Sequence, residues 1–266
     1  MLKDITLGQY VPLDSPVHRL DPRTKVIATL LFSIALFLLP TLRSVTLAGL
    51  PIIIAIVATR LPIHYILRGI KPLWIFIVFT LLVHLLSTPG ETAVRLGPFA
   101  ITWEGLRQGA MVSQRLIWLY AATSLLTLTT SPIALTDGLE LLLSPGKRIG
   151  LPVHEFAMMT SIALRFIPTL IEETEKIMKA QSSRGADFDS GSLVARVKSL
   201  VPLMVPLLLS AFRRADELAM AMEARCYRGG EGRTRMRPLV MSGKDYAVTV
   251  AVSGVFILIC LWKKAL

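Results

Sequence analysis

Long apolar runs separated by short polar segments dominate the first half of the chain. They cover residues 26–42, 45–59, 72–87 and 106–130, and a fifth run covers residues 246–262. These lengths lie at or near the 17 to 25 residues, roughly, that span a bilayer as a helix, and a helix satisfies its own backbone hydrogen bonds in lipid. The pattern predicts an all-α polytopic membrane protein with five spans.

Residues 151–237 follow a different pattern, in which charged residues are interleaved with apolar ones at helical spacing. The apolar positions in the second half are Leu200, Leu203, Met204, Leu207, Leu208, Ala211, Phe212, Ala215, Leu218, Ala219 and Met222; those in the first are Ile162, Phe166, Leu170 and Ile177. This spacing predicts two long amphipathic helices. An ordinary cytosolic helical hairpin and a pair of coupling helices with exposed apolar faces would share this periodicity, so both interpretations stay open.

Each predicted amphipathic helix ends on an arginine with small neighbours. The two tips are Ser183, Arg184 and Gly185, and Ala224, Arg225 and Cys226. A cation is favoured at a helix C-terminus and glycine is a common cap there, so one such tip has a purely structural explanation. A guanidinium at a blunt helix end can also pair with a carboxylate of a partner. Two matched tips suggest two equivalent sockets, such as those of a dimeric partner.

Composition and charge place the chain in a membrane. Hydrophobic residues make up 53% of it and charged residues 18%, which is too little charge for the surface of an ordinary soluble enzyme. The net charge of +11 fits basic cytoplasmic loops and anionic lipid better than nucleic acid, for which no motif is present. The arginines at 225, 228, 233, 235 and 237 are candidates for contacting lipid headgroups.

The basic segments and the number of spans predict the topology. A cytosolic lead-in covers residues 1–25, four spans lie within 26–131, a cytosolic coupling module covers 132–245, and a final span lies within 246–266. In this arrangement the polar segment between the third and fourth spans, which contains Gly97, Pro98 and Trp103, is external.

Catalytic and metal-binding candidates are few. The sequence has no Gly-x4-Gly-Lys-Ser/Thr, His-Glu-x-x-His or Gly-x-Ser-x-Gly motif, and its histidines and cysteines have no metal-site spacing, so we expect no metal or cofactor. Arg115 is an intramembrane candidate, because a charge inside a span usually has a role; pairing with carbonyls of a neighbouring helix explains it nearly as well. An intramembrane enzyme would need clustered polar groups, and only Gln114, Arg115 and His84 are available.

Several segments resemble one known family. They are residues 15–25, residues 164–168 and residues 180–185, which include the first arginine tip. They are similar to the T component of energy-coupling factor transporters, the EcfT/CbiQ family, and the likeness covers nearly the whole chain. The tips resemble the paired Ala-Arg-Gly motifs of that family, with Ser183 in place of alanine in the first and Cys226 in place of glycine in the second.

The resemblance implies a non-catalytic coupling subunit of an importer in a prokaryotic cell membrane. In that family the T subunit links two ABC-type ATPases to a small membrane subunit that binds a vitamin or another micronutrient. Arg184 and Arg225 would dock into the ATPases. The apolar face of the second helix would contact the substrate-binding subunit through Met204, Leu207, Leu208, Ala211 and Phe212. A conventional ABC permease is the alternative, but both tips lie in one segment rather than in two symmetric halves.

Overall fold

Helices account for most of the computed structural model, which describes residues 10–96, 99–186, 193–230 and 238–265. The α-helices are α1 (Pro22–Leu38), α2 (Leu42–Ala48), α3 (Leu50–Thr59), α4 (Ile63–Ser87), α5 (Trp103–Thr129), α6 (Pro132–Leu143), α7 (Val153–Ser183), α8 (Leu193–Ala224) and α9 (Gly243–Ala265). A 3-10 helix, Ser144–Ile149, follows α6. The predicted all-α membrane protein is confirmed.

The described residues divide into two compact units. The first contains residues 10–138 and 238–265, and the second contains residues 139–230. The first unit therefore holds α1 to α5 and α9, and the second holds α7 and α8. The assignment of segments to the membrane and to the cytosol stays a prediction.

Within the residues that the structure describes, two helical segments are long and apolar enough to cross a membrane by length and composition. They are Leu42–Thr59 and Gly69–Ser87, and a third results if the bent pair Trp103–Thr129 and Pro132–Ile149 counts as one span. The 17 residues of α1 are at the lower end of the length that spans a bilayer. The five predicted spans thus differ in how strongly their lengths and compositions support them.

The predicted second span is interrupted at Gly49. This residue ends α2 and precedes the first residue of α3, Leu50, and its backbone N–H donates to the Thr46 carbonyl over 3.1 Å. A Cβ at this position would collide with the indole ring of Trp118. The close approach of that ring therefore favours glycine at the boundary between α2 and α3.

The polar segment after α4 contains a short hairpin that the sequence analysis did not predict. Strand β1 (Thr92–Leu96) pairs antiparallel with β2 (Phe99–Thr102). The predicted turn residues Gly97 and Pro98 lie outside the described residues. The Thr102 hydroxyl then caps α5 by accepting a hydrogen bond from the Gly105 backbone N–H.

Helix α5 is the centre of the first unit. Its residues Ala121, Ala122 and Leu125 form a buried apolar cluster with Ile52 of α3. A second cluster joins Leu128 to residues near the start of α4. Small residues on α5 let neighbouring helices approach closely, as expected where helices pack without a hydrophobic gain from water.

A buried polar network joins the lead-in to the start of α9. One carboxylate oxygen of Asp245 accepts from the Asp21 backbone N–H at 2.8 Å, and the other accepts from the Ser242 backbone N–H at 2.8 Å and its hydroxyl at 2.7 Å. Arg23 pairs with Asp21 at 2.9 Å and donates to the Leu239 carbonyl. The Asp245 side of this network could not be predicted, because it joins positions 224 residues apart.

Electrostatics favour the charged form of Asp245. Burial alone would raise the pKa of this carboxyl, but the hydrogen bonds from Asp21 and Ser242 and the nearby Arg23 guanidinium hold the pKa below its usual value. A group with a lowered pKa stabilises the fold above its unfolded-state pKa, and that contribution is lost as the pH falls through the folded-state pKa.

We predict that Asp245→Asn lowers the free energy of unfolding by about 2 kcal/mol at pH 7, because an amide cannot accept all three hydrogen bonds. Thermal unfolding of the purified full chain measures this, and the deficit relative to wild type should shrink as the pH falls below about 4. Asp14→Asn is the control, because Asp14 forms an exposed pair with Arg19. A deficit independent of pH would contradict the role of the carboxylate charge.

Candidate functional site

The two long helices of the second unit carry the predicted arginine tips at their C-terminal ends. Helix α7 has 31 residues and ends at Ser183, and α8 has 32 residues and ends at Ala224. The tip residues Arg184 and Arg225 follow directly, so both predicted positions lie where the helices stop. The side chains of residues 193–199 of α8 are outside the described part of the chain.

The first tip is closed by a Schellman motif. The Gly185 backbone N–H donates to the Ser182 carbonyl, and the Ala186 backbone N–H donates to the Gln181 carbonyl, both over 3.0 Å. Gly185 has a φ of +89°, which is the left-handed conformation this motif requires. Arg184 is therefore held as the last residue before the chain turns away.

The second tip has the same hydrogen bonds without a glycine. The Cys226 backbone N–H donates to the Glu223 carbonyl over 2.8 Å, and the Tyr227 backbone N–H donates to the Met222 carbonyl over 3.0 Å. Cys226 adopts a φ of +55°, where an L side chain costs roughly 1 to 2 kcal/mol. The substitution of cysteine for glycine thus retains the cap but adds backbone strain.

Both tips are open to a partner. Arg184, Arg225 and their small neighbours Ser183 and Ala224 are exposed. The Ser183 hydroxyl donates to the Lys179 carbonyl over 3.0 Å, so it folds back on the helix and does not enlarge the tip. Within the described residues neither tip arginine forms an ion pair with a carboxylate. Each guanidinium therefore keeps its donors available.

Helices α7 and α8 touch at an ion pair between Glu173 and Arg214, whose charged atoms are 3.4 Å apart. Glu173 lies ten residues before the end of α7, whereas Arg214 lies 21 residues after the start of α8. The two contact positions are therefore offset by eleven residues, or about 16 Å along the helices, relative to the segment that connects them. Both the ordinary helical hairpin and the pair of coupling helices stay open.

The contact between Glu173 and Arg214 is equidistant from the two tips. Glu173 and Arg214 are 41 residues apart, which is also the separation of Arg184 and Arg225. Each tip is eleven residues, or about 16 Å along its own helix, beyond the ion pair. The two helices therefore use equivalent positions both for their contact and for their tips. The repeated spacing of 41 was visible in the sequence, but the sequence did not show that these two side chains meet.

The apolar face of α8 is largely unprotected in the isolated chain. Met204, Leu208 and Phe212 are 61%, 57% and 60% exposed and form one row at intervals of four residues. Leu207 and Ala211 are half-buried beside this row. Leu203, on the other side of the helix, is buried. A contiguous exposed apolar row of this kind indicates a protein or membrane contact.

Arg115 lies in α5 and contacts the end of a neighbouring helix. Its guanidinium donates to the Leu39 carbonyl at the C-terminus of α1 over 2.9 Å and lies 5.5 Å from the centre of the Phe37 ring. The negative end of the α1 dipole favours a cation at this point. This geometry is that of helix packing, and a further role of Arg115 stays a prediction.

The remaining candidates form no reactive constellation. No group of three or more His, Cys, Asp or Glu that could hold a metal ion occurs within the described residues. His154 pairs with Glu140 over 2.9 Å, and its ring packs against Gly230. Of the arginine cluster proposed for lipid contact, Arg225 and Arg228 are exposed, and residues 233, 235 and 237 lie outside the described residues.

Comparison with known proteins gives extensive matches. A family model described as "Cobalt transport protein", CbiQ, matches residues 14–236. The chain is 54% identical over 250 residues to the "Energy-coupling factor transporter transmembrane protein EcfT" of Thermosediminibacter oceani, covering 94% of each chain. The protein of the same name from Acidaminococcus fermentans is 52% identical, over 99% of this chain and 98% of its own length. The one from Bacillus subtilis is also 52% identical, over 95% of this chain and 96% of its own length.

We predict that Cys226→Gly stabilises the second cap and that Gly185→Ala destabilises the first, each by about 1 kcal/mol, because glycine alone adopts positive φ without strain. Hydrogen exchange resolved by mass spectrometry should show backbone amides at the second tip exchanging about fivefold more slowly in Cys226→Gly. Those at the first tip should exchange about fivefold faster in Gly185→Ala. Unchanged exchange in both variants would show that neither cap depends on its φ.

Proposed function

Because the chain belongs to the EcfT/CbiQ family of energy-coupling factor transporter transmembrane proteins, we propose that it couples two ABC-type ATPase subunits to a small substrate-binding membrane subunit. The coupling unit lies on the cytoplasmic side of a prokaryotic cell membrane. The chain itself is not a catalyst, and ATP is hydrolysed by the partner subunits. The observation that carries this proposal is the pair of equivalent, exposed, arginine-tipped helix ends.

The tips are suited to dock one ATPase each. A Schellman cap presents each arginine at a blunt end, and small residues beside it allow a groove of the partner to close around the tip. The planar guanidinium can form two parallel hydrogen bonds with a carboxylate, which gives the docking both energy and direction. Since Arg184 and Arg225 occupy equivalent positions, two related ATPase subunits can offer the same socket to each.

The exposed apolar row of α8 is suited to the substrate-binding subunit. Met204, Leu208 and Phe212, flanked by Leu207 and Ala211, lie between 13 and 21 residues before Arg225 of the second tip. An apolar surface fits a partner that is itself embedded in lipid. One helix thus carries an ATPase contact at its end and a membrane-subunit contact along its length.

The contact between α7 and α8 provides the mechanical link. When ATP draws the ATPases together, the two tips move with them, and the angle between the helices changes about the contact of Glu173 with Arg214. The apolar row of α8 turns with its helix and reorients the substrate-binding subunit. The partly exposed charges at this contact allow this movement, because a partly hydrated ion pair adds little free energy to either angle.

The substrate is a vitamin or another micronutrient, such as a metal ion, and its selection belongs to the substrate-binding subunit. A conventional ABC permease would need its own translocation path and a coupling element in each half. In the described residues both tips belong to one unit, which favours a single asymmetric coupler. An intramembrane enzyme has weaker support, because Arg115 is engaged with a helix end.

We predict that the two surfaces can be disrupted separately in the co-expressed complex. Arg184→Glu with Arg225→Glu should reduce co-purification of the ATPases at least tenfold, because each socket then faces a like charge. Met204→Gln, Leu208→Gln and Phe212→Gln together should release the substrate-binding subunit while the ATPases stay bound. Quantitative mass spectrometry of the affinity-purified tagged chain measures both.

Matched controls come from the same helices. Arg165→Glu with Arg213→Glu makes the same charge change at exposed positions away from the tips, and Met220→Gln alters an exposed methionine outside the apolar row. Both controls should retain all partners. Unchanged ATPase binding in the tip variant would refute the docking role. Loss of the ATPases in the apolar-row variant would show that the two surfaces are not separate.

A further inference from the structure

An apolar groove runs along α1 in the first unit. It has a volume of about 1120 Å³ and is bounded by α1, α2, α3, α5 and α9. Ala28 and Ala35 line it on α1, Ala122 on α5 and Ala251 on α9, and these small side chains leave the space open. Leu47 and Ile54 line it and are also exposed, so the groove opens on the surface of the unit.

One end of the groove has polar donors without enough acceptors. Thr24 lines the groove and is 1% exposed, and its hydroxyl has no hydrogen-bond partner in the part of the chain that the structure describes. Lys25, beside it, donates to the Thr129 carbonyl over 2.9 Å and to the His18 carbonyl over 3.2 Å. An ammonium group has three donors, so its third proton has no acceptor among the described residues.

These donors favour an occupant that supplies acceptor oxygens at one end and an apolar body along the rest. A buried hydroxyl without a partner destabilises the fold, and an incoming acceptor would recover much of that loss. A transmembrane helix of a partner offers free carbonyls only in its last turn and these are neutral, whereas phosphate oxygens accept hydrogen bonds and also carry the negative charge that pairs with a cation. The charged residues lining the groove within the described part, Lys25 and Arg43, are both cationic.

We propose that this groove binds a membrane phospholipid. Its acyl chain lies between α1, α3 and α9, and the oxygens of its glycerophosphate group accept hydrogen bonds from Thr24 and Lys25. These two residues stand where the lead-in meets the first predicted span, which is the level of the headgroups in a bilayer. The lipid then fills the space that the small residues leave between α1 and α3 and completes the packing of the unit.

Native mass spectrometry of the full chain tests this after reconstitution in phosphatidylglycerol–phosphatidylethanolamine nanodiscs and transfer to mild detergent. Wild type should retain one phospholipid under activation that strips the remainder. Ala251→Trp fills the groove and should lower the retained fraction at least fivefold. Val250→Trp places the same side chain at an exposed position on α9 that does not line the groove, and should retain the lipid as wild type does.

Thr24→Val separates lipid binding from folding. It removes a buried hydroxyl that has no partner, so thermal stability of the delipidated chain should be equal or higher, while lipid retention falls. Wild type without retained lipid, or equal retention in all variants, would overturn the proposal. So would normal lipid retention in Ala251→Trp with loss of a co-purifying membrane subunit, because the groove would then belong to a partner helix.

Discussion

The Schellman hydrogen bonds at the ends of α7 and α8 are the interactions on which the coupling site depends. They stop each helix at one residue and turn the chain away, so that an arginine remains at a blunt, exposed end. Without them the last turn would fray, and a guanidinium on a frayed turn has no fixed direction. The first cap uses Gly185. The second reaches the same geometry with Cys226, which shows that the hydrogen bonds determine the shape and the glycine lowers its cost.

In the proposed mechanism, the contact between Glu173 and Arg214 links the two helix ends mechanically. Because this contact lies at equivalent positions of the two helices, the distance along the helix from the contact to the arginine tip is the same for both. A rotation about this contact therefore displaces both ends equally, which suits two related partners. In the proposed mechanism the apolar row of α8 lies on one of the two helices, so the response of the membrane subunit would be asymmetric although the input is symmetric.

The spacing of apolar residues, together with the residues that end helices, was enough to predict most helices and both arginine tips. The spacing of apolar residues identified α7 and α8, and the arginines with small neighbours marked their ends. Local patterns could not reveal what depends on distant side chains. The approach of the Trp118 ring to Gly49, the hydrogen bond from Asp21 to Asp245 at the start of α9, and the contact of Glu173 with Arg214 each join positions far apart in the sequence. The hairpin after α4 was missed because its strands are only five and four residues long.

The change in angle between α7 and α8 is most directly measured as a distance between the helix ends in the assembled transporter. Spin labels at Lys179→Cys and Met220→Cys occupy exposed, equivalent positions five residues before each arginine, once Cys226 and Cys260 are replaced by glycine and alanine. Electron–electron double resonance in nanodiscs would compare the nucleotide-free and ATP-bound complexes. A shorter distance with ATP is the expected result. The same distance distribution in both states, with the ATPases bound, would contradict a coupling mechanism that acts through a change in angle between α7 and α8.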